Sequence, residues 1–239
     1  MNEARGLETM SPAISKIRGY FDWLYERLSP YLGDSILEIG PGYGNIAERL
    51  LANGKTYMAI DTDPEVIAHI ASQFPQIPHD HLITGDITSP ALCARIRSLR
   101  PDCILSMNVL EHIQDDAAHL RSLASSALVN RYIFLVPAMT FLYGSFDSEA
   151  GHYRRYMKST LSQVLRGAGF HLVYLSYFNA IGAMSWWAAS TILRLNMKSR
   201  ESERAIIAYD KLLVPIARLG DPFLRPFMGQ SLIAVAALK

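Results

Sequence analysis

The chain has 239 residues, half of them hydrophobic, with 23 basic against 22 acidic side chains and a formal net charge of +1. That length supplies the core of one large α/β domain, and the balanced charge leaves no electrostatic footprint for nucleic acid, since the one dense basic cluster, Arg154, Arg155 and Lys158, is too short for a binding stripe. Two cysteines, Cys93 and Cys103, exclude a disulfide scaffold and make no CxxC zinc pair.

Residues 13–32 carry helical spacing in Ile14, Ile17, Phe21, Leu24 and Leu28, closed by Pro30 and Gly33, and predict one helix. Residues 35–39 read as a strand. "NIAERLLANG" follows as a helix, with Asn45 as its cap and Gly54 as its end. "TYMAI" is a second strand, and "DPEVIAHIASQF" a helix capped by Asp63 with Pro64 in its first turn. "HLIT", "SPALCARIRSL" and "CILSM" give strand, helix and strand. Helical residues run from about 109 to 127, and "YIFLV" is a fifth strand stopped by Pro137. Short apolar strands alternating with helices mean a parallel sheet covered on both faces. Residues 138–157 then read as a loop, "KSTLSQVLRGAG" as a helix, and "FHLVYLSYF" and "SLIAVAAL" as strands flanking an insertion at 179–229. The expected organisation is a single domain over 1–239. It comprises a helical cover at 1–32, a binding core at 33–137 and a substrate-side half at 138–239.

The opening "MNEARGLETM" has no apolar signal region, so a cytoplasmic protein is expected. "AIGAMSWWAASTIL" is too short and too interrupted to span a bilayer, so stable membrane insertion is not expected.

"ILEIGPGYGN" carries the strongest chemical signal. Ligands of open parallel sheets bind beyond the C-terminal strand ends. There Gly40, Gly42 and Gly44, with Pro41 between them, let backbone N–H groups approach a ligand. The helix N-terminus beginning at Asn45 favours a ligand carboxylate. The spacing is GxGxG rather than the dinucleotide GxGxxG, and Glu38 precedes it. A carboxylate is a poor neighbour for a pyrophosphate and a good one for an ammonium group, which argues against a nicotinamide cofactor. Asp61, followed by Thr62, ends the second strand without an evident local duty and can accept from both hydroxyls of a ribose. Asp86, after Gly85, can either shape a turn or accept from an adenine amine while Ile87 packs on the ring. Asn108 and Val109 end the fourth strand across the crevice from the glycines.

Taken together, "LEIGPGYGN", "AIDTDP", "TGDI" and "LSMNVLEHI" resemble the class I S-adenosylmethionine-dependent methyltransferases over about residues 35–136. The resemblance implies a Rossmann-like, doubly wound seven-stranded sheet of order 3-2-1-4-5-7-6, its last strand antiparallel. It implies that S-adenosyl-L-methionine is bound and S-adenosyl-L-homocysteine released. Glu38 and the glycine turn would hold the methionine part, Asp61 the ribose and Asp86 the adenine, with Asn108 beside the sulfonium. "NVLEHI" is similar to a stretch of ubiquinone-type O-methyltransferases, some of which bind a divalent metal through E-x-x-E-H. Here Asn108 replaces the first Glu ahead of Glu111 and His112, so no metal is expected. The "GHYRRY" run after the fifth strand resembles that of a subgroup of small-molecule methyltransferases and gives no substrate.

On the substrate side, His152 is the candidate base, imidazole being the usual proton acceptor near neutral pH. Its alternative is to tie the loop to the sheet with Arg155. Tyr143 is a candidate for orienting an acceptor, Arg155 for holding an acidic group, and His112 for lining the site. Trp186, with Tyr177, Phe178 and Trp187, reads as an apolar pocket or as packing of a lid, and Tyr20 with Phe21 and Trp23 as a second cover. The function expected is methyl transfer to a small, apolar or aromatic molecule by a monomer or homodimer. A non-catalytic binding protein and a peripheral enzyme acting on a membrane lipid or quinone-type substrate stay open.

Overall fold

A computed structural model describes residues 6–192, 196 and 199–238. Seven strands form one sheet: β1 (Ser35–Ile39), β2 (Thr56–Asp61), β3 (Leu82–Thr84), β4 (Cys103–Met107), β5 (Arg131–Pro137), β6 (Phe170–Phe178) and β7 (Ser231–Leu238). Their order is 3-2-1-4-5-7-6, and β7 lies antiparallel between β5 and β6. The neighbouring pairs from β3 through β5 are parallel. This is the order and polarity that the resemblance implies.

The strands read as unbroken apolar runs because successive side chains enter different layers. Leu37, Met58, Ile104 and Phe134 face α4 (Pro90–Leu99), α5 (Asp116–Ser126) and α7 (Lys158–Gly167), which contribute Ile96, Leu120 and Leu161. Ile36, Tyr57, Leu105 and Ile133 face the opposite layer, which holds α1 (Gly19–Leu28), α2 (Asn45–Ala52) and α3 (Pro64–Gln73). Burial of such side chains stabilises the sheet by roughly 1.5–3 kcal/mol each.

Several local expectations differ. The helix predicted over 13–32 is split. A 3₁₀ turn at Pro12–Lys16 ends where Ile17 turns extended, and α1 starts only at Gly19. The cause is Asp210, whose carboxylate accepts the N–H groups of Arg18, Gly19 and Tyr20 at 2.9, 3.0 and 2.7 Å. An acid from the far end of the chain thus caps α1. Asn45 does not cap α2. Gly44 holds that place at φ +77°, and its carbonyl already accepts from Glu48 N–H. The predicted helix at 109–127 divides into a turn at Leu110–His112 and α5, whose cap is Asp115. The loop at 138–157 contains α6 (Ser145–Ala150). The insertion consists of α8 (Ala180–Trp187), a π turn at Ala188–Ile192, α9 (Arg200–Ala208), a second π turn at Tyr209–Leu213 and α10 (Val214–Leu224). Buried Val214 and Ala217 of α10 join the α1–α3 layer. No helix among the described residues is long and apolar enough to cross a membrane.

Replacing Asp210 by Ala leaves three N–H groups without their acceptor. The variant is expected to lose about 2 kcal/mol of stability in urea titration; an unchanged midpoint would deny Asp210 its capping role.

Candidate functional site

One cavity of about 1130 Å³ opens beyond the C-terminal ends of β1, β2, β4 and β5. Its lower wall is the glycine turn. Gly40, Gly42 and Gly44 adopt φ of +68°, +52° and +77°, the left-handed region that side chains avoid. A Cβ at Gly40 would also come within 2.6 Å of Val109 Cγ2. Gly40, Pro41, Gly42 and Asn45 line the cavity, as do Asp61, Thr62, Asp86, Ile87, Asn108 and Val109. Four separate strand ends therefore bring their predicted residues to one surface. Asn108 sits at φ +51° while its N–H donates to Leu135 O at 2.8 Å, so the β4–β5 ladder continues through a strained residue at the cavity edge.

Two predicted residues lie behind this wall. Glu38 points from β1 toward β2, fully buried, and is absent from the lining. The Tyr57 hydroxyl donates to its Oε2 at 2.6 Å, while Oε1 has no partner. Burial raises its carboxyl to about 8. Gly44 faces Phe74 and Ile70 of the neighbouring helix segment, and a Cβ there would meet the Phe74 ring at 2.6 Å. Asp61 does have a local duty, against the sequence reading: its Oδ1 accepts the Asp63 N–H at 2.8 Å. Burial raises its carboxyl. Asp86 also serves its turn, accepting both Thr88 N–H and Thr88 Oγ1–H at 2.8 Å, and it still lines the cavity.

The opposite wall comes from the segment after β5. Asp147 of α6 is fully buried and accepts from His152 Nδ1 and Arg155 Nε, each at 2.8 Å, from Gly144 N–H at 3.1 Å and from Trp186 Nε1 at 3.4 Å. Burial alone would raise its carboxyl, but the His152 hydrogen bond and the Arg155 charge hold it below the usual range. An ionised carboxylate only accepts, so Nδ1 of His152 carries a proton, while Nε2 lies 3.9 Å from Glu111 Oε1. Arg155 is held by Asp147 and by Ala138 O, and its guanidinium lies over the Trp186 ring. The Tyr143 hydroxyl donates to His152 O at 2.7 Å. His152, Arg155, Tyr143, Trp186, His112 and Tyr20 all line the cavity. Tyr177 and Phe178 are buried as core.

His112 meets His152 edge to face, ring centroids 4.7 Å apart. Burial, with His152 beside it, lowers His112 to about 4. Glu111 is fully buried with no hydrogen bond to either oxygen, His152 Nε2 standing 3.9 Å from its Oε1, and burial raises it to about 8. Glu111, His112 and His152 each offer one ligand atom, all within 4.8 Å of one another. The sequence argument against a metal weighed only the Asn108–His112 run. It could not count His152, which arrives from a loop forty residues later. Sequence reasoning also missed Met10, Ile206 and Tyr209 in the lining. They come from the two ends of the chain, and no motif marks them.

A glycine turn, two acids at successive strand ends and this strand order define a class I S-adenosylmethionine-dependent methyltransferase. The model of the methyltransferase domain family (Methyltransf_23) matches residues 14–175, about two thirds of the chain, and the chain belongs to that family. Its fold is similar to that of an S-adenosylmethionine-dependent methyltransferase from Archaeoglobus fulgidus, with TM-score 0.54 and 19% identity over 94% of this chain and 97% of that one. It is similar too to magnesium protoporphyrin IX methyltransferase (ChlM) from Synechocystis PCC 6803 with bound S-adenosylhomocysteine, with TM-score 0.52 and 13% identity over 100% and 90% of the two chains. Ribosomal RNA small subunit methyltransferase A of Synechococcus sp. (strain JA-3-3Ab) is 39% identical over 51 residues, 21% of this chain and 18% of that protein. The matches to the first curated relatives span about a quarter or less of those proteins' length.

The residues fit the cofactor. A cradle that a Cβ at Gly40 would fill faces two carboxylates across a space large enough for a nucleoside. The buried Glu38 makes a pH prediction. Its native carboxyl keeps a proton up to about 8, against 4.5 ordinarily. The raised value contributes stability that is complete below 4.5 and is lost as pH rises to about 8. The melting temperature of the ligand-free protein is expected to fall across that window. In Glu38→Gln the fall should be shallower, and equal slopes would show that Glu38 is not the group titrating.

Proposed function

We propose that the methyl acceptor is a small, apolar or aromatic molecule and that His152 removes its proton. The carrying observation is the Asp147–His152 hydrogen bond, which spends Nδ1 on Asp147 and leaves Nε2 as the other ring nitrogen of a residue that lines the cavity. Bound S-adenosylmethionine supplies an activated methyl carbon at its sulfonium. The chain's part is to align the acceptor and exclude water, worth roughly 7–11 kcal/mol when orientation is complete. In this reading, the backbone N–H of Gly42 faces the amino-acid end of the cofactor, that of Gly40 being spent on Ile60 O at 3.0 Å. Glu38 acts from behind the turn, through the free oxygen that Tyr57 leaves it. Asp61 holds the ribose with the oxygen not spent on Asp63, and Asp86 with Ile87 receives the adenine. Asn108 and Val109 flank the sulfonium. Ile14, Phe21, Phe146 and Trp186 give the acceptor side its apolar character. Tyr143 serves by fixing the His152 carbonyl, and Arg155 by holding Asp147. The balanced charge supports a small acceptor over RNA, although the short curated matches are to ribosomal RNA methyltransferases.

A second reading rests on the buried Glu111 carboxylate, which has no hydrogen bond. With His112 and His152 it would make a carboxylate–imidazole set for a divalent cation, Asp147 then orienting His152 from behind.

Asp61→Ala is expected to weaken S-adenosylhomocysteine binding at least about tenfold in calorimetry, the size of one lost charge-assisted hydrogen bond; parent-like affinity would remove the ribose assignment. His152→Gln should bind S-adenosylhomocysteine normally while methyl transfer to a hydroxyl acceptor slows by roughly 10²–10⁴. Activity that disappears on chelation and returns with a divalent cation would instead favour the metal reading.

A further inference from the structure

The outer face of the insertion is apolar and uncovered. Leu212, Ile216, Leu219 and Phe223 recur at helical spacing along the second π turn and α10, and Phe227 prolongs the stripe. Their exposures are 68%, 56%, 78%, 78% and 78%. The opposite face of the same helix, Val214, Ala217 and Asp221, is buried. The stripe is therefore the outward side of a helix already anchored in the fold and not a misplaced core face.

The charges within the stripe segment itself are mainly of one sign. Between residues 211 and 227 the cations are Lys211, Arg218 and Arg225, and the sole acid is Asp221. Asp221 is 2% exposed and accepts the Ala180 N–H at 3.2 Å, so it does not reach the surface. Arg218 pairs with Glu26. Lys158 adds a cation at the far end, donating to Pro226 O at 3.3 Å. Apolar side chains flanked by long cationic ones match the interior and headgroups of an anionic bilayer surface. An isologous dimer through the same patch would set these cations against their own copies.

A cleft of about 360 Å³ starts at this face. It is lined by Leu212 and Leu213 of the stripe region, by Ala208, and by Ser185, Ala205 and Tyr209. The last three also line the large cavity. One wall thus separates a route from the apolar face and the site where the cofactor is assigned.

We propose that this face docks on an anionic lipid surface and that the methyl acceptor is an amphiphile whose apolar tail lies in the cleft between α8 and the second π turn. The acceptor class rests on the methyl-transfer reading above; the docking surface does not. No described helix can cross the bilayer, so the chain lies on it.

The test is co-sedimentation with vesicles of phosphatidylglycerol and phosphatidylcholine in equal parts, and with phosphatidylcholine alone. The parent should bind the mixed vesicles more tightly. Leu219→Ser, Phe223→Ser and Phe227→Ser should each weaken binding roughly tenfold. Lys211→Gln and Arg225→Gln should each cost about fivefold, and only on mixed vesicles. Parinaric acid, a fluorescent acyl chain, should bind the parent and not Ala208→Phe. Calorimetry with S-adenosylhomocysteine accompanies every variant. Intact cofactor binding without vesicle binding overturns the docking face alone, whereas a parent that binds no S-adenosylhomocysteine overturns the methyl-transfer reading. A dimer by light scattering that Phe223→Ser dissociates, with no vesicle binding, would assign the stripe to a second copy and overturn the proposal. Equal parinaric acid binding by parent and Ala208→Phe would remove the tail from the cleft.

Discussion

Asp147 is the point on which the acceptor side is built. A fully buried carboxylate has to be compensated, and this one receives donors from four places: the start of its own helix, His152, Arg155 and Trp186 of the insertion. Removing one partner of such a buried pair ordinarily costs about 3–5 kcal/mol, because the remaining charge is stranded. The same bonds that fold the loop also fix the orientation of the His152 ring and bring the insertion's indole to the cavity. Structure and chemistry share one set of contacts here. His152 ties the loop through Nδ1, and the base role proposed for it would fall to the other ring nitrogen, Nε2.

The cofactor side depends on a different constraint, the backbone. Left-handed Gly40 and Gly42 and a left-handed Asn108 line the same crevice, and Gly40 leaves room only because it has no Cβ. Among the described residues, no carboxylate that lines this side is held by a buried ion pair. Its polar groups are strand-end acids already engaged with their own turns, Asp61 with Asp63 and Asp86 with Thr88. Each turn fixes its carboxylate in place before any ligand arrives, which lowers the ordering cost of binding.

The two sides meet under a roof from the chain ends. Asp210 caps α1, and Tyr209 beside it donates to Asn179 Oδ1 at 2.6 Å. The N-terminal cover and the insertion are therefore joined to each other as well as to the sheet. The roof's inner face lines the cavity while its outer face carries the exposed stripe. One layer of helices thus separates the reaction space from the surface proposed to meet lipid.

The strands, the parallel sheet and its strand-end acids were legible in the sequence, and the strand order followed from the family resemblance. Apolar runs of fixed length, proline-started helices and a glycine turn are local signals that each act within a few residues. One helix boundary failed because a distant side chain decided it, as Asp210 moved the start of α1, and another because the left-handed backbone of Gly44 took the cap position ahead of Asn45. The burial of Glu38 behind the turn was invisible because strand alternation gives a face but not what covers it. Glu111, His112 and His152 looked like two adjacent residues and a separate loop histidine, and only the chain's return after β5 brings their ligand atoms within 4.8 Å. Sequence by itself determined the layers and the cofactor crevice, since periodicity and turn chemistry are written in neighbouring residues. Tertiary structure alone decided which buried charges are paired, which stay orphaned and which helix face is left uncovered, because each of those depends on groups far apart in the chain becoming neighbours in space.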